Sequence, residues 1–133
     1  MKFHHIGIFV SDISTGTSAL RQMFPISSES ETYEDFGIGV YVKFLIDSSG
    51  IRYEIVAPLV QENPVSKLLK NKKNILNHVA YEVNNFYETI DSMTNMGALL
   101  LSAASPAVAF NGAKVVFLYT PLGFVVELIE VVN

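Results

Sequence analysis

Four side chains in this sequence have the types and the spacing for metal chemistry: His5, Glu54, His78 and Glu127. The two histidines lie 73 positions apart, and so do the two glutamates. Each glutamate interrupts a run of strand-forming apolar residues, Tyr53-Glu54-Ile55-Val56 and Val126-Glu127-Leu128-Ile129, where a lone acid is expensive to bury. Two imidazoles and two carboxylates together suit one divalent ion per chain of the borderline or hard kind (Ni, Co, Mn, Fe or Zn), with positions left open for water or substrate. Taken singly, a histidine in an apolar strand is most often a hydrogen-bonded core residue, and a strand glutamate most often faces solvent. Four residues that obey one offset point to a shared role. His4 has the strand parity opposite to His5 and is set aside. Glu82 shares the face of His78, but its counterpart is Phe9. Arg52 shares the face of Glu54 and is a candidate contact for an acidic substrate, with a surface salt bridge as the alternative.

The same offset carries Val10 onto Val83, Met23 onto Met96, Gly39 onto Gly112 and Val42 onto Val115 without a gap. It also carries Phe44 onto Phe117, Leu45 onto Leu118 and Gly50 onto Gly123. Two copies of one module follow, each bringing one His and one Glu. Period-2 alternation over 3–10 makes a strand with His5, Gly7 and Phe9 on one face. Asp12 and Ser14 are candidate caps of a helix with Ile13, Leu20 and Phe24 on one side. Gly16 weakens that helix and Pro25 ends it. A polar edge strand over 26–33, a turn at 34–37 and a hairpin of 39–47 with 51–57 complete a βαβββ order. The order recurs: strand 75–83, a helix capped by Asn84 or Asn85 with Phe86, Ile90 and Met93 inward, a strand near 98–104, and a hairpin of 113–119 with 124–132. The expected class is α+β, two paired βαβββ modules forming a curved mixed sheet around one metal-binding cleft. The whole of 1–133 reads as one domain: module 1–59, connection 60–74, module 75–133.

With 133 residues, half of them apolar, the chain can bury a core of its own. No apolar run approaches the roughly 20 residues of a membrane helix. Met1-Lys2-Phe3-His4 runs straight into a strand and leaves no room for a signal peptide, so a cytoplasmic location is expected. The absence of cysteine excludes disulfides and thiolate chemistry. A formal net charge of -4 argues against a nucleic-acid partner. Lys67, Lys70, Lys72 and Lys73 crowd the connection, where a short helix is expected from Pro64 through Leu68 and Leu69. They read as a solvated face or as a clamp for a phosphorylated ligand tail.

His4-His5-Ile6-Gly7-Ile8, Asn77-His78-Val79-Ala80-Tyr81-Glu82-Val83 and Val126-Glu127-Leu128-Ile129-Glu130 resemble the vicinal oxygen chelate superfamily, the glyoxalase, bleomycin-resistance and dioxygenase proteins. The resemblance spans nearly the whole chain, and paired βαβββ modules are that superfamily's fold. Glu54-Ile55-Val56-Ala57-Pro58-Leu59, Asn63-Pro64-Val65-Ser66-Lys67-Leu68-Leu69 and Asn111-Gly112-Ala113-Lys114-Val115-Val116-Phe117-Leu118 look like methylmalonyl-CoA epimerases. The resemblance puts His5, Glu54, His78 and Glu127 at the family's metal positions, the Glu54 position being Glu or Gln among epimerases. Tyr119-Thr120-Pro121-Leu122-Gly123 is nearer in length to the turn of glyoxalase I. The epimerases' second catalytic acid finds no counterpart, since strand 39–47 offers Lys43 and no Glu.

The resemblance implies an enzyme that moves a proton next to a thioester carbonyl, with the metal as Lewis acid toward an enolate and Glu127 as both ligand and base. The substrate is a small thioester, a branched acyl-CoA, in the epimerase version. In the glyoxalase I version it is the hemithioacetal of a 2-oxoaldehyde and a thiol. A non-catalytic ligand-binding or resistance module is the competing class, and a ring-cleaving dioxygenase the third. Analogy with the superfamily, with the high apolar content, implies a homodimer.

Overall fold

The structure, a computed structural model, describes residues 1–60, 65–66, 69–70 and 74–132. The fold is α+β, built from paired βαβββ modules. The chain divides into two compact units, His5–Leu76 and Asn77–Asn133 with Met1–His4. Of the helix expected from Pro64 through Leu68 and Leu69, Val65 and Ser66 are helical and the Leu69 N–H donates to Val65 O at 2.9 Å, while Pro64 and Leu68, with Lys67, Lys72 and Lys73 of the basic cluster, lie outside the described residues.

The first module runs β1 (Lys2–Val10), α1 (Ile13–Met23), β2 (Ile26–Asp35), β3 (Val40–Asp47) and β4 (Arg52–Pro58). Its strands lie in the order β2-β3-β4-β1. The hairpins β2–β3 and β3–β4 are antiparallel, and β4 pairs with β1 in parallel. Such a parallel pair needs a crossover, and α1 supplies it. The helix starts at Asp12, whose Oδ2 accepts the Thr15 N–H at 2.8 Å. It stops at Phe24, before Pro25, whose ring clashes with a preceding helical turn. Ile13 and Leu20 pack with Val10, Leu45, Ile55 and Ala57 on one face of the sheet. Phe24 does not join that core: it is an exposed cap residue whose ring lies 5.6 Å from that of Tyr53. Gly16 is a packing requirement and not a weak point, because a Cβ there would sit 2.9 Å from both methyls of Val10.

The second module runs β5 (Asn74–Val83), α2 (Phe86–Asn95), β6 (Leu99–Leu100), β7 (Ser105–Pro106), a 3-10 turn (Val108–Phe110), β8 (Lys114–Tyr119) and β9 (Val125–Glu130). Here the order is β5-β9-β8-β6, with β7 also on β8. The pair β5–β9 is parallel and β8–β9 antiparallel. Phe86, with Ile90 and Met93, packs on Val83, Val116, Leu118, Val126 and Leu128. Of the strand expected near 98–104 only Leu99–Leu100 forms. The second short piece, β7, lies beyond it and holds Pro106, which has no N–H for a ladder bond. Both modules turn on glycines in the left-handed region at equivalent points: Gly39 (φ 86°) with Gly112 (φ 84°), and Gly50 (φ 92°) with Gly123 (φ 88°). A side chain at any of the four would be strained.

Candidate metal centre

Each half of the site is built in the same way. In the first module Gly7 lies opposite Glu54 in the β1–β4 ladder, and Phe44 lies opposite Glu54 in the β3–β4 ladder. In the second, Ala80 and Phe117 take those places around Glu127. Every one of these pairs obeys the 73-residue offset, so the repeat holds at the level of strand register. His5 Nε2 lies 3.4 Å from Glu54 Oε1, and His78 Nε2 lies 3.5 Å from Glu127 Oε1. The ring of Phe44 is edge-on to that of His5 at 5.6 Å, and that of Phe117 is edge-on to His78 at 5.4 Å. Each module thus presents an imidazole and a carboxylate beside an apolar aromatic wall.

Burial is nearly complete: His5 is 0 %, His78 2 %, Glu127 3 % and Glu54 5 % exposed. One ligand atom from each of the four lies within 4.8 Å of the others. Protein N and O ligands sit about 2.1 Å from a divalent ion, so opposite donors end roughly 4 Å apart. Two carboxylates held this close and this dry are costly on their own, and a divalent cation offsets their charge. The donor set is consistent with a divalent-metal site. His78 Nδ1 lies 2.8 Å from Asn77 Oδ1, within hydrogen-bond distance.

Arg52 lies two residues from Glu54 on the same strand face, half-buried, opposite Ile46. Glu82 is half-buried opposite Ile129 and is not among the four. Lys43 is not on the face of Glu54: it lies opposite Ile55, with its Nζ 3.1 Å from Glu29 Oε1. Glu29 also accepts from Arg21, whose Nη2 donates to Oε1 at 2.6 Å and whose Nε donates to Oε2. Hydrogen bonding from Arg21, reinforced by Lys43, holds the Glu29 carboxyl down to about 2. The sequence did signal Phe44 and Phe117, since the offset pairs them, but as markers of the repeat and not as walls of the site. Asn77 had no spacing to announce it.

A sequence model of the Glyoxalase/Bleomycin resistance protein/Dioxygenase superfamily matches residues 4–117. The chain belongs to that superfamily. It is 26% identical to an ethylmalonyl-CoA/methylmalonyl-CoA epimerase of Cereibacter sphaeroides over 134 aligned positions, covering 98% of each chain. The methylmalonyl-CoA epimerase of Mycobacterium tuberculosis superposes with a TM-score of 0.80 at 18% identity, covering 99% of this superfamily member and 89% of the other chain. A methylmalonyl-CoA epimerase in complex with methylmalonyl-CoA and ammonium gives a TM-score of 0.77 at 20% identity, over 97% of this chain and 93% of the other. No helix among the described residues is long and apolar enough to cross a membrane.

Proposed function

We propose that this protein is a metal-dependent epimerase that moves a proton next to the thioester carbonyl of an acyl-CoA. The reading is carried by the buried set of His5, Glu54, His78 and Glu127; the likeness to epimerases chooses the substrate class. His5, Glu54 and His78 hold the ion, which supplies Lewis acidity toward an enolate oxygen when bound. Glu127 is a ligand and also the base. It takes the proton from the carbon next to the carbonyl, and a proton delivered to the opposite face of the planar carbon inverts the configuration with no net change in atoms. Val125 and Ile129 flank it on its own strand face and Phe117 lies across from it, which keeps bulk water from quenching the carbanion. Arg52 pairs with the free carboxylate of the substrate. Activity in the cytoplasm as a homodimer belongs to the same proposal, and sedimentation showing only monomer at micromolar concentration would refute the dimer.

The Tyr119–Gly123 turn, closed by Thr120 N–H donating to Phe124 O at 2.9 Å, favours a second reading: glyoxalase I chemistry on a hemithioacetal. Protein loaded with Co, Ni, Mn, Zn or Fe in turn should exchange the substrate proton of methylmalonyl-CoA in deuterated water. Turnover of methylglyoxal with a thiol and no exchange on the acyl-CoA would move the assignment to the second reading. Metal-stripped protein that binds acyl-CoA tightly while every loaded form is inert on both would make it a binding module.

A further inference from the structure

The sheet face that carries Glu127 continues to the edge of the second module. Phe117 on β8 lies directly opposite Glu127 on β9. Leu101 lies opposite Phe117, its N–H donating to Phe117 O at 2.9 Å, in step with the Leu99–Tyr119 and Leu100–Leu118 pairs of β6 and β8. Residues directly opposite one another share a face, so Glu127, Phe117 and Leu101 form one row. Val125, Tyr119 and Leu99 form the next row on the same face. Adjacent strands are about 4.8 Å apart, which puts the Leu101 backbone about 10 Å from that of Glu127. Leu99 is 67 % and Leu101 54 % exposed. The first module ends its rows otherwise. Beyond Glu54 and Phe44 comes Ser30, whose Oγ accepts the Phe44 N–H, and beyond Arg52 and Ile46 comes Ser28. By the 73-residue offset Ser28 is the counterpart of Leu101.

We propose that Leu101 and Leu99 form a specificity-determining strip. It receives an alkyl branch, several carbons longer than methyl, on the carbon next to the substrate's thioester carbonyl. The inference rests on the reading of Glu127 as the base that meets that carbon. A branch that leaves the carbon toward the module edge crosses Phe117 and then meets Leu101. A methyl branch is too short to cover two strand spacings. No charged residue occurs over 92–113, so this edge offers no charged partner for a carboxylate or a phosphate, and an aliphatic group is what it can take out of water. Scattered exposed leucines are ordinary on a protein surface; these two share the face of Glu127, and Leu101 stands in its row. Leu100, between them in the chain, points to the other face, beside Leu118 of the core under α2.

The test is calorimetry of cobalt-loaded protein with racemic 2-alkylmalonyl-CoA compounds, from methyl through butyl to hexyl. Racemates are already at equilibrium for epimerisation, so the heat reports binding. Each methylene laid on the strip should tighten binding about 3- to 4-fold, and the butyl compound should bind at least about 30-fold more tightly than the methyl one. In Leu101→Ser, which installs the residue of the first module, that ratio should fall at least about 5-fold. In Leu100→Ser, on the opposite face, it should hold. A flat series in the wild type, or a ratio that survives Leu101→Ser combined with Leu99→Ser, overturns the proposal. An equal fall in Leu100→Ser would make the edge a structural element and overturn the specific role. Sedimentation tests the competing occupant: a wild-type dimer that Leu101→Ser dissociates assigns the strip to a second copy of the chain. Proton exchange in deuterated water, read on the same compounds, separates this inference from the reading beneath it. Length-dependent binding that Leu101→Ser abolishes, with no exchange on any compound, keeps the strip and refutes the epimerase. Exchange on the methyl compound with a flat binding series does the reverse.

Discussion

The two modules agree around their His–Glu pairs and part company at the sheet edge. Around the ligands, Gly7–Glu54–Phe44 and Ala80–Glu127–Phe117 share one register, and the His–Glu distances are 3.4 and 3.5 Å. At the edge, β2 pairs continuously along β3 from Ile26 to Asp35 apart from bulges, while β6 and β7 are two fragments paired one residue out of step with it. Ser30 accounts for part of the difference. Its Oγ accepts the Phe44 N–H at 2.9 Å across a bulge, whereas the matching residue is Ala103, with no hydroxyl to offer. The Arg21–Glu29–Lys43 cluster becomes Thr94, Ser102 and the buried Val116. The repeated module keeps its geometry around the His–Glu pairs and differs where only the edge has to be closed.

The largest effect is expected at the carboxylates, and it asks whether the two halves are chemically equal. Glu127→Gln keeps the shape and one oxygen ligand but removes the base; turnover should fall at least about 100-fold with part of the metal retained. Glu54→Gln should be milder. Steady-state assays beside metal analysis decide it, and a dead Glu54→Gln with an active Glu127→Gln would assign the base to the first module.

Stripping the ion tests whether both halves need it. At 100 times the dissociation constant a ligand stabilises the native state by about 2.7 kcal/mol. Chelator should therefore lower the melting temperature by several degrees and increase amide exchange in β1–β4 and β5–β9 alike. Loss confined to one pair would mean that one module binds the metal alone.

A smaller contrast lies in the helices. Gly16→Ala drives a methyl against Val10, a buried and stiff neighbour, and should cost roughly 1–3 kcal/mol in denaturant unfolding. The matching Thr89, half-buried with Oγ1 donating to Asn85 O at 2.7 Å, should tolerate alanine within about 0.5 kcal/mol. Equal costs would show that the helices pack alike after all.

The smallest effect is acid-dependent and belongs to the first module only. The carboxyl of Glu29 is lowered from 4.5 to about 2 in the folded state. The folded form therefore binds the proton less readily, and the stabilisation is present above the unfolded value and lost as pH falls through the folded one. The gap in melting temperature between wild type and Glu29→Gln should be full above pH 4.5 and close toward pH 2. Asp12, lowered by the Thr15 N–H that it caps, acts in the same direction. A gap that did not close on acidification would mean the Glu29 cluster contributes packing and not charge.

Local periodicity and self-comparison were enough to read the module order, the turn glycines and the four clustered residues, because strand parity and a fixed offset are properties of a linear string. Gly50 with Gly123 and His5 with His78 could be paired without knowing what surrounds them. Tertiary structure decided the rest. It set Lys43 on Glu29 and away from Glu54, made Gly16 necessary through Val10, left Phe24 outside the core, broke the second edge strand, and put an amide behind His78 but a histidine in the matching place. Each of these depends on which atoms meet through space, and a residue's partner across a sheet or under a helix leaves no period in the sequence.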